Sequence, residues 1–451
     1  MRTLVNQMPI ALPYVDHQHG KELAKMDELL NDIPDELWEK VQRDLVGERS
    51  SKRGRKGLSA EQVMRILVLK HLVGISYEKL AYVLLDFNGY RSFCRLELGH
   101  RLTKSTLQAN VKKISEATLE DFNRELMRRA QREGVEDGRK LRADTTNVES
   151  NIHTPTDSSL LADVVRVLVR LLKRARREFG LKFTNRGRRA KRRAYKLQTA
   201  KNQKQRLPLY KDMVRVTEEM LAEAERVAGE LTLLEGLDVT RGALADGLIA
   251  ELRHFGGLGH RIVAQTRRRV FEGKKVPNDE KLVSIFETHT DILVKGNRKV
   301  DYGHKVCFST GASGLVSDLR VLEGNPADSS LTEATVTRHR EIFGDVPRQA
   351  VFDGGFASQA NLHALKDAGV EDVAFSKPCG LAIEDMVKSK RVFKKLRNFR
   401  TAIEGTISFL KRCFGMKRCV WKGFGGFNRY AWGAVLSANI LLLARHLVAA
   451  G

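Results

Sequence analysis

Cysteine and aromatic side chains are scarce in this sequence of 451 residues, and acidic side chains fall well short of basic ones. Aromatic residues make up only 7% of the chain, too few for base stacking on single strands to be the main binding mode. The cysteines are odd in number and form no CxxC pair, so neither a disulfide framework nor a zinc site is predicted. A reducing cytoplasm fits this usage best. The five cysteines are Cys94, Cys307, Cys379, Cys413 and Cys419.

Long apolar runs are also missing. Residues 1–15 show no basic start followed by an apolar run, so we expect no signal peptide. The most apolar late stretch, 431–444, is shorter than the roughly 20 residues that a membrane-spanning helix needs, and Asn439 interrupts it. We therefore expect a buried terminal helix and no membrane partner.

Positive charge is what the sequence has in excess. Lys and Arg number 79 against 55 Asp and Glu, which gives a formal net charge of +24. Such an excess predicts a polyanionic partner, and an anionic membrane is disfavoured by the apolar pattern. Contacts of Lys and Arg with phosphates release counterions and add affinity whatever the base sequence. We therefore expect this chain to bind the backbone of duplex DNA.

The first part of the chain predicts an N-terminal arm and basic linker at 1–57, followed by a helical domain at 58–135. Ser59 and Gln62 have the spacing of a capping box ahead of a long run of apolar residues at helical spacing. This pattern predicts a helix at 60–73.

Two further helices are expected in that domain, one at 76–85 and one that starts at Ser105, where Gln108 completes a second capping box. Short helices joined by short turns are compatible with a helix-turn-helix DNA reader. A helical bundle with a solvated basic face is the alternative, since capping and periodicity do not define helix-turn-helix geometry. The candidate DNA contacts are Lys104, Gln108 and Lys112.

The pattern changes at residue 140. Residues 141–148 are rich in Thr and Val and predict a strand. A helical, basic insertion is then expected at 159–275, and its segment 174–204 has few acids to balance its Arg and Lys. Phosphate contact is the favoured interpretation, because such a segment repels itself without a counter-anion, and a solvated helix face is the alternative. The candidate phosphate contacts are Arg186, Arg188, Arg189, Lys191, Arg192 and Arg193.

Strand signals return after Pro277. The order that we predict is a hairpin, a strand, a helix, a short strand and a final helix before the apolar terminal one. The predicted segments are 303–309 and 316–323 for the hairpin, 349–352, 358–368, 372–376 and 398–414.

Three acidic residues stand out against this pattern. Asp144 lies inside a strand, where aspartate is disfavoured. Asp353 follows a strand and precedes two glycines, at the edge where open sheets of alternating strands and helices bind ligands. Glu404 lies on a helix stripe that borders its apolar face. Cutting and joining of phosphodiesters needs two hard cations held by carboxylates, which these acids would supply. For each acid alone, an ordinary solvated position is the alternative.

The segment 397–411 resembles the Y-(2)-R-(3)-E-(6)-K signature of DDE-type insertion-sequence transposases. Arg400, Glu404 and Lys411 match the signature, whereas Arg397 stands where that family has Tyr. Residues 144–146 resemble the first-aspartate motif of the family, residues 351–355 resemble the second, and 149–161 is similar to the ISNCY and related groups. The resemblance covers most of the chain.

The resemblance implies an α/β catalytic core of the ribonuclease H and retroviral integrase type, with a mixed five-strand sheet and helices. That domain is expected at 136–158 and 276–451, with the insertion between its two parts. The implied cofactors are two Mg²⁺ ions, with Mn²⁺ as a substitute, held by Asp144, Asp353 and Glu404. Arg400, Lys411 and Arg397 are the DNA contacts expected beside them.

The expected function is DNA transposition: binding of the transposon ends, DNA cleavage and strand transfer into target DNA. The expected partners are the terminal inverted repeats and the target DNA, bound by a homodimer or higher assembly in the bacterial cytoplasm at the nucleoid. His153 and Asp157 are candidate accessory residues, with a turn and helix cap as the alternative. A non-catalytic DNA-binding protein, such as a domesticated transposase or repressor, and a nuclease without strand transfer are the rival functions.

Overall fold

A computed structural model of the chain describes Tyr14 and residues 16–48, 57–294 and 300–450. The chain divides into two compact units, one formed by Met1–Asn151 with Gly303–Gly451 and the other by Ile152–Tyr302. Within the arm and basic linker expected at 1–57, residues 49–56 lie outside the described residues.

The first unit begins with helices. The capping box predicted at Ser59 is confirmed, since its hydroxyl accepts from the Gln62 N–H and the Gln62 side chain accepts from the Ser59 N–H. The helix expected to start at Ser105 begins at Lys104 instead, because the Thr103 hydroxyl accepts from the Thr106 N–H and so caps it. The helices described before β1 are α1 (Gln18–Asn31), α2 (Asp35–Val46), α3 (Ala60–Val73), α4 (Tyr77–Asp86), α5 (Asn88–Phe93), α6 (Lys104–Val111) and α7 (Glu116–Arg132).

A buried ionic network ties α1 to α3. Arg65 is fully buried on α3, and its Nη1 donates to Asp27 Oδ1 of α1 at 2.6 Å. Its Nε donates to Glu61 Oε1 at 2.8 Å. Arg95 Nη2 donates to the same oxygen of Asp27 at 2.6 Å. Two arginines thus share one buried aspartate, so each partner offsets the desolvation of the others.

The chain then forms β1 (Lys140–Glu149) and enters the second unit, whose helices α8, α10 and α11 pack against one another. Leu168, Val216 and Ile262 contribute to its apolar core, one from each of these helices. Helix α9 packs on α8 and α10. The second unit contains α8 (Asp157–Phe179), α9 (Gly187–Thr199), α10 (Gln203–Thr232), α11 (Val239–Thr266) and the short strand β2 (Asp291–Leu293).

The remainder of the first unit is built on a mixed sheet, so a mixed α/β fold is confirmed. In the described part of the chain this sheet has six strands, one more than the five expected. β3, β1, β5 and β6 lie side by side in that order, and β2 and β4 are both neighbours of β3. β4, β3 and β1 are antiparallel neighbours, whereas β1, β5 and β6 are parallel. The elements are β3 (Asp301–Thr310), β4 (Val316–Leu322), α12 (Thr332–Phe343), β5 (Gln349–Phe352), α13 (Gln359–Asp367), β6 (Asp372–Phe375), α14 (Ile383–Met386), α15 (Lys390–Cys413) and α16 (Phe424–Ala450).

The last helix, α16, packs against α1, α3 and α7 and carries the buried terminal stretch expected from the sequence. Its polar interruption has a partner: Asn439 Nδ2 donates to the Val316 carbonyl at 2.7 Å, and its Oδ1 accepts from the Val316 N–H at 2.9 Å. Among the described residues, α16 is also the one helix long and apolar enough to cross a membrane by length and composition.

Candidate active site

Asp144 lies on the central strand of the sheet. β1 pairs with β3 on one side and with β5 on the other, and Ala143 is opposite Phe352 in the parallel register. The residues that follow this pair are Asp144 and Asp353, so the register alone brings the two carboxylates to one edge. Asp144 is nearly buried, and its Oδ1 accepts from the Thr145 N–H at 2.8 Å.

Asp353 follows β5 directly, and the Ser376 hydroxyl donates to its Oδ1 at 2.7 Å. The two glycines after it are places of close approach. A Cβ at Gly354 would lie 2.9 Å from Lys377 Cβ, and one at Gly355 would lie 2.8 Å from Asp328 Oδ2. The room that these glycines leave is therefore filled by side chains of the protein.

Glu404 and Arg400 lie on α15, which begins at Lys390, eight residues before the expected start at 398, because the Ser389 hydroxyl accepts from the Val392 N–H. One guanidinium meets all three acids. Arg400 Nη2 lies 2.9 Å from Asp144 Oδ2 and 3.3 Å from Asp353 Oδ1. Arg400 Nη1 lies 3.2 Å from Glu404 Oε1.

These four side chains differ in exposure. The side chains of Arg400 and Asp144 are each 12% exposed, that of Asp353 is 40% exposed and that of Glu404 is 64% exposed. The cluster therefore runs from the protein interior at Asp144 to solvent at Glu404. Arg400 Nε is buried without a hydrogen-bond partner among the described residues, which is unusual for so polar a group.

Arg142 anchors α15 on the sheet, a role that the sequence did not suggest. Its Nε donates to Thr310 Oγ1 at 2.7 Å, its Nη1 donates to the Phe399 carbonyl at 3.0 Å, and its guanidinium carbon lies 4.4 Å from the centre of the Phe399 ring. Burial lowers the pKa of Arg142. Farther along α15, Lys411 Nζ donates to Thr146 Oγ1 at 2.7 Å. Two contacts with β1 thus fix the helix that carries Glu404.

Asp328 is a second residue that the sequence did not single out. Its Oδ1 accepts from Thr145 Oγ1 at 3.1 Å and from Lys305 Nζ at 3.1 Å. Its other carboxylate oxygen faces Gly355, two residues after Asp353. Asp328 therefore lies against Thr145, next to Asp144, and against Gly355, two residues after Asp353. Its only sequence signal is an acid that closely follows Asn325 and Pro326, a residue pair that favours turns.

The other candidate DNA contacts of the first unit are dispersed. Lys104 is exposed at the start of α6, and Gln108 is half-buried on the same helix. Lys112 Nζ lies 5.5 Å from the centre of the Trp421 ring. Arg397 is exposed on α15, and its guanidinium carbon lies 5.8 Å from the centre of the Phe393 ring.

In the second unit, half of the candidate phosphate contacts are engaged with acids. Arg186 pairs with Glu219 at 3.0 Å, whereas Arg189 and Arg193 both pair with Asp212. The other three candidates are exposed and form no ion pair among the described residues: Arg188, Lys191 and Arg192.

The accessory candidates also belong to the second unit. His153 Nε2 lies 3.6 Å from Asp163 Oδ2, and Asp157 Oδ1 lies 3.0 Å from Arg269 Nη1 at the start of α8. Thr156 caps α8 by accepting from the Ser159 N–H. Each candidate thus has a partner within its own unit.

The donor set at the cluster suits a hard cation. Asp144, Asp353 and Glu404 supply carboxylate oxygens, which are the ligands that Mg²⁺ prefers. In the described part of the chain, no group of three or more His, Cys, Asp or Glu side chains is close enough to hold a metal ion as it stands. At this cluster, the Arg400 guanidinium lies within 3.3 Å of an oxygen of each of the three carboxylates and supplies positive charge there.

Residues 13–113 match a family model described as "Transposase domain (DUF772)", which supports a relationship to transposases and suggests DNA as the partner. The matched residues cover the helices from α1 to α6 and end before the sheet. No curated protein and no solved structure matches the chain.

Proposed function

We propose that this chain is a DDE-type DNA transposase whose acidic centre is Asp144, Asp353 and Glu404. The observation that carries the proposal is the convergence of these three acids on Arg400, although 209 and 51 positions separate them along the chain (353 − 144 and 404 − 353). The transposase-domain match at 13–113 supports the same conclusion from a different part of the chain.

The sheet supports a catalytic core of the ribonuclease H type. An antiparallel hairpin, β3 and β4, lies on one side of β1, and the parallel strands β5 and β6 lie on the other. Such a core gathers carboxylates at one edge of its sheet. It does so with acids on neighbouring strands and on a helix that packs against those strands. Helices α8 to α11 follow β1, as expected for an insertion after the first strand.

The three carboxylates would hold two Mg²⁺ ions, or Mn²⁺ in their place. Such ions activate an attacking oxygen and stabilise the leaving one in an in-line displacement at phosphorus. The residues of this chain orient the carboxylates: the Thr145 N–H holds Asp144, the Ser376 hydroxyl holds Asp353, and Arg142 with Lys411 holds the helix of Glu404.

Arg400 reduces the repulsion among the three carboxylates, because its positive charge attracts each of them at close range. The Nε of Arg400 is buried and has no hydrogen-bond partner among the described residues. We infer that the side chain adopts a second position when DNA is bound, in which the guanidinium contacts a phosphate. In the reaction, water first breaks the bond between phosphorus and the 3′ oxygen at the element's end. The freed 3′ hydroxyl then attacks a phosphorus of the target DNA, whose own 3′ oxygen leaves.

The test uses metal-dependent nicking of a plasmid that carries the DNA flanking the gene. We expect Asp144→Asn, Asp353→Asn and Glu404→Gln each to lose nicking by at least about 100-fold, since each removes a carboxylate ligand. Binding to the same DNA should remain, because no basic residue changes. Glu384→Gln, an exposed acid on α14, is the matched control and should nick normally. Full nicking by any one of the three variants would refute the assignment.

A non-catalytic DNA-binding protein is the second candidate function. The observation that favours it is the engagement of the acids with Arg400, which is also how a purely structural ion cluster is built. The same assay decides: such a protein binds the flanking DNA but does not nick it with Mg²⁺ or Mn²⁺. A nuclease without strand transfer would nick but yield no joined products.

We further propose that two copies act together on paired transposon ends, because both ends must be cut and joined in one event. The terminal inverted repeats, the target DNA and a cytoplasmic site of action at the nucleoid belong to the same proposal. Light scattering of the chain, alone and with end-containing DNA, tests the assembly: a mass that stays that of one copy per DNA would contradict it.

A further inference from the structure

The second unit contains a groove between α8 and α9 with a volume of about 1250 Å³. Basic side chains line both of its sides, from Arg166 to Arg177 on α8 and from Arg188 to Lys191 on α9. Two acids line it as well, Asp163 and Glu251. Asp163 is already paired, since its Oδ1 accepts from Arg166 Nη2 at 2.6 Å.

Two of the seven cations that line this groove have an acidic partner, since Arg166 pairs with Asp163 and Arg177 with Glu178, and the other five have none among the described residues. Arg170, Lys173 and Arg174 on α8, and Arg188 and Lys191 on α9, are exposed and form no ion pair with any described residue. By contrast, Asp212 and Glu219 of α10 hold Arg186, Arg189 and Arg193 of α9. Helix α9 thus turns one set of its charges inward, where they hold the unit together, and leaves another set on the groove.

We propose that this groove binds a phosphodiester backbone of DNA and is the principal phosphate-binding surface of the second unit. The inference rests on the proposed function, which supplies DNA as the partner, and it names the surface that takes it. Uncompensated cations on two facing helices attract a polyanion, because contacts with phosphates release counterions. They also repel one another until such a partner is bound.

The spacing on α8 fits a phosphate chain. Residues 166, 170, 173, 174 and 177 recur every three or four positions, so they share one face of the helix. From Arg166 to Arg177 the helix rises about 16 Å. One DNA strand carries a phosphate roughly every 3.4 Å along the axis, so this face spans about five phosphates. A discrete small anion would occupy only a fraction of it.

The experiment measures binding of the full chain to a fluorescein-labelled duplex of mixed sequence and to the matching single strand, across a range of salt concentrations. The groove variant is Arg170→Gln with Arg174→Gln and Lys191→Gln. The matched control is Lys211→Gln with Arg253→Gln and Arg261→Gln, three exposed cations of the same unit that form no ion pair with a described residue and do not line the groove. Both variants lower the net charge by three.

We expect the groove variant to bind the duplex at least about tenfold more weakly. The slope of log K against log salt concentration should fall in magnitude by about 2 to 3, because each lost phosphate contact removes about 0.9 from it. If the groove binds single strands instead, the single-stranded probe shows the larger loss of affinity, and its salt slope falls by about 0.7 for each lost contact. The control should change the slope by less than about one unit. Equal losses in the two variants, or none in the groove variant, would overturn the inference.

Two further measurements keep the result independent of folding. Replacement of Arg170 and Arg174 by Lys preserves the charge and should restore the salt slope. In the unaltered chain, bound duplex should protect Lys173 and Lys191 from acetylation while Lys211 stays reactive, and equal reactivity of the three would also overturn the inference. If the groove does not bind DNA, the proposed function can still hold. The proposed function is tested separately by the loss of nicking in the Asp144, Asp353 and Glu404 variants, which leave this groove unchanged.

Discussion

Arg400 Nη2 lies 2.9 Å from Asp144 Oδ2, although 256 positions separate the two residues. Both side chains are 12% exposed, so the contact lies largely away from water. The same nitrogen lies 3.3 Å from Asp353, and the other terminal nitrogen lies 3.2 Å from Glu404. A single positive charge therefore lies among the three acids and offsets part of their mutual repulsion.

Arg400→Gln should tighten the binding of Mn²⁺ to the DNA-free chain, because the ion no longer competes with a guanidinium for the carboxylates. A gain of about tenfold in affinity corresponds to roughly 1.4 kcal/mol. Titration followed by the electron paramagnetic resonance of free Mn²⁺ measures it. Arg397→Gln, three positions away and without an ion pair among the described residues, is the control and should leave the affinity unchanged. Weaker Mn²⁺ binding in Arg400→Gln would contradict the expectation.

Gly355→Ala should lower nicking by about 10- to 100-fold while the fold is kept, because misplacement of reacting groups by even 1 Å is costly. The new Cβ would lie 2.8 Å from Asp328 Oδ2, so either Asp328 or the turn after Asp353 must shift. Nicking rates and thermal melting report the two effects separately. Gly425→Ala, where a Cβ meets nothing within 4 Å, is the control. Normal nicking by Gly355→Ala would show that this contact does not position Asp353.

The sequence singled out the three acids that meet at Arg400 by their local settings: an aspartate inside a strand, an aspartate before two glycines and a glutamate beside an apolar helix face. The residues that support these acids could not be predicted from the sequence. Arg142 reaches Phe399 from a strand to a helix 257 positions away, and Asp328 reaches Thr145 across 183 positions. Such contacts depend on the register of β1 with its neighbours, which local periodicity does not specify.

The ion pairs of the basic insertion could not be predicted from the sequence either. The segment was expected to present Arg186, Arg189 and Arg193 to phosphates, but acids that neutralise them lie on the next helix, at Glu219 and Asp212. Nothing within the segment reveals those partners, because they become neighbours only when α9 packs on α10. The N-cap of α6 at Thr103 was missed for a simpler reason, since Thr103 and Ser105, two positions apart, can both cap a helix and the structure uses the earlier one.

Asp27→Ala should destabilise the helical part of the first unit by about 3–5 kcal/mol, because it leaves two buried guanidinium groups without their shared carboxylate. Arg65 and Arg95 both donate to Asp27 Oδ1 at 2.6 Å. Urea unfolding followed by circular dichroism measures the loss. Asp16→Ala is the control, since its pair with Lys21 is exposed and such pairs contribute about 0–1 kcal/mol. A loss below about 1 kcal/mol in Asp27→Ala would contradict the role given to the network.

Asp212 should make the second unit sensitive to acid. Burial opposes ionisation of this carboxyl, but hydrogen bonds from Arg189, Arg193 and Arg215 hold its pKa well below the ordinary value of 3.8. A pKa lowered by folding contributes stability that is complete above the ordinary value and is lost as the pH falls below it. The unaltered chain should therefore unfold at a higher temperature than Asp212→Asn at neutral pH, and the difference should shrink below about pH 4. Thermal melts of both proteins across this range, with the exposed Asp246→Asn as control, test the sign: a difference that grows in acid would contradict it.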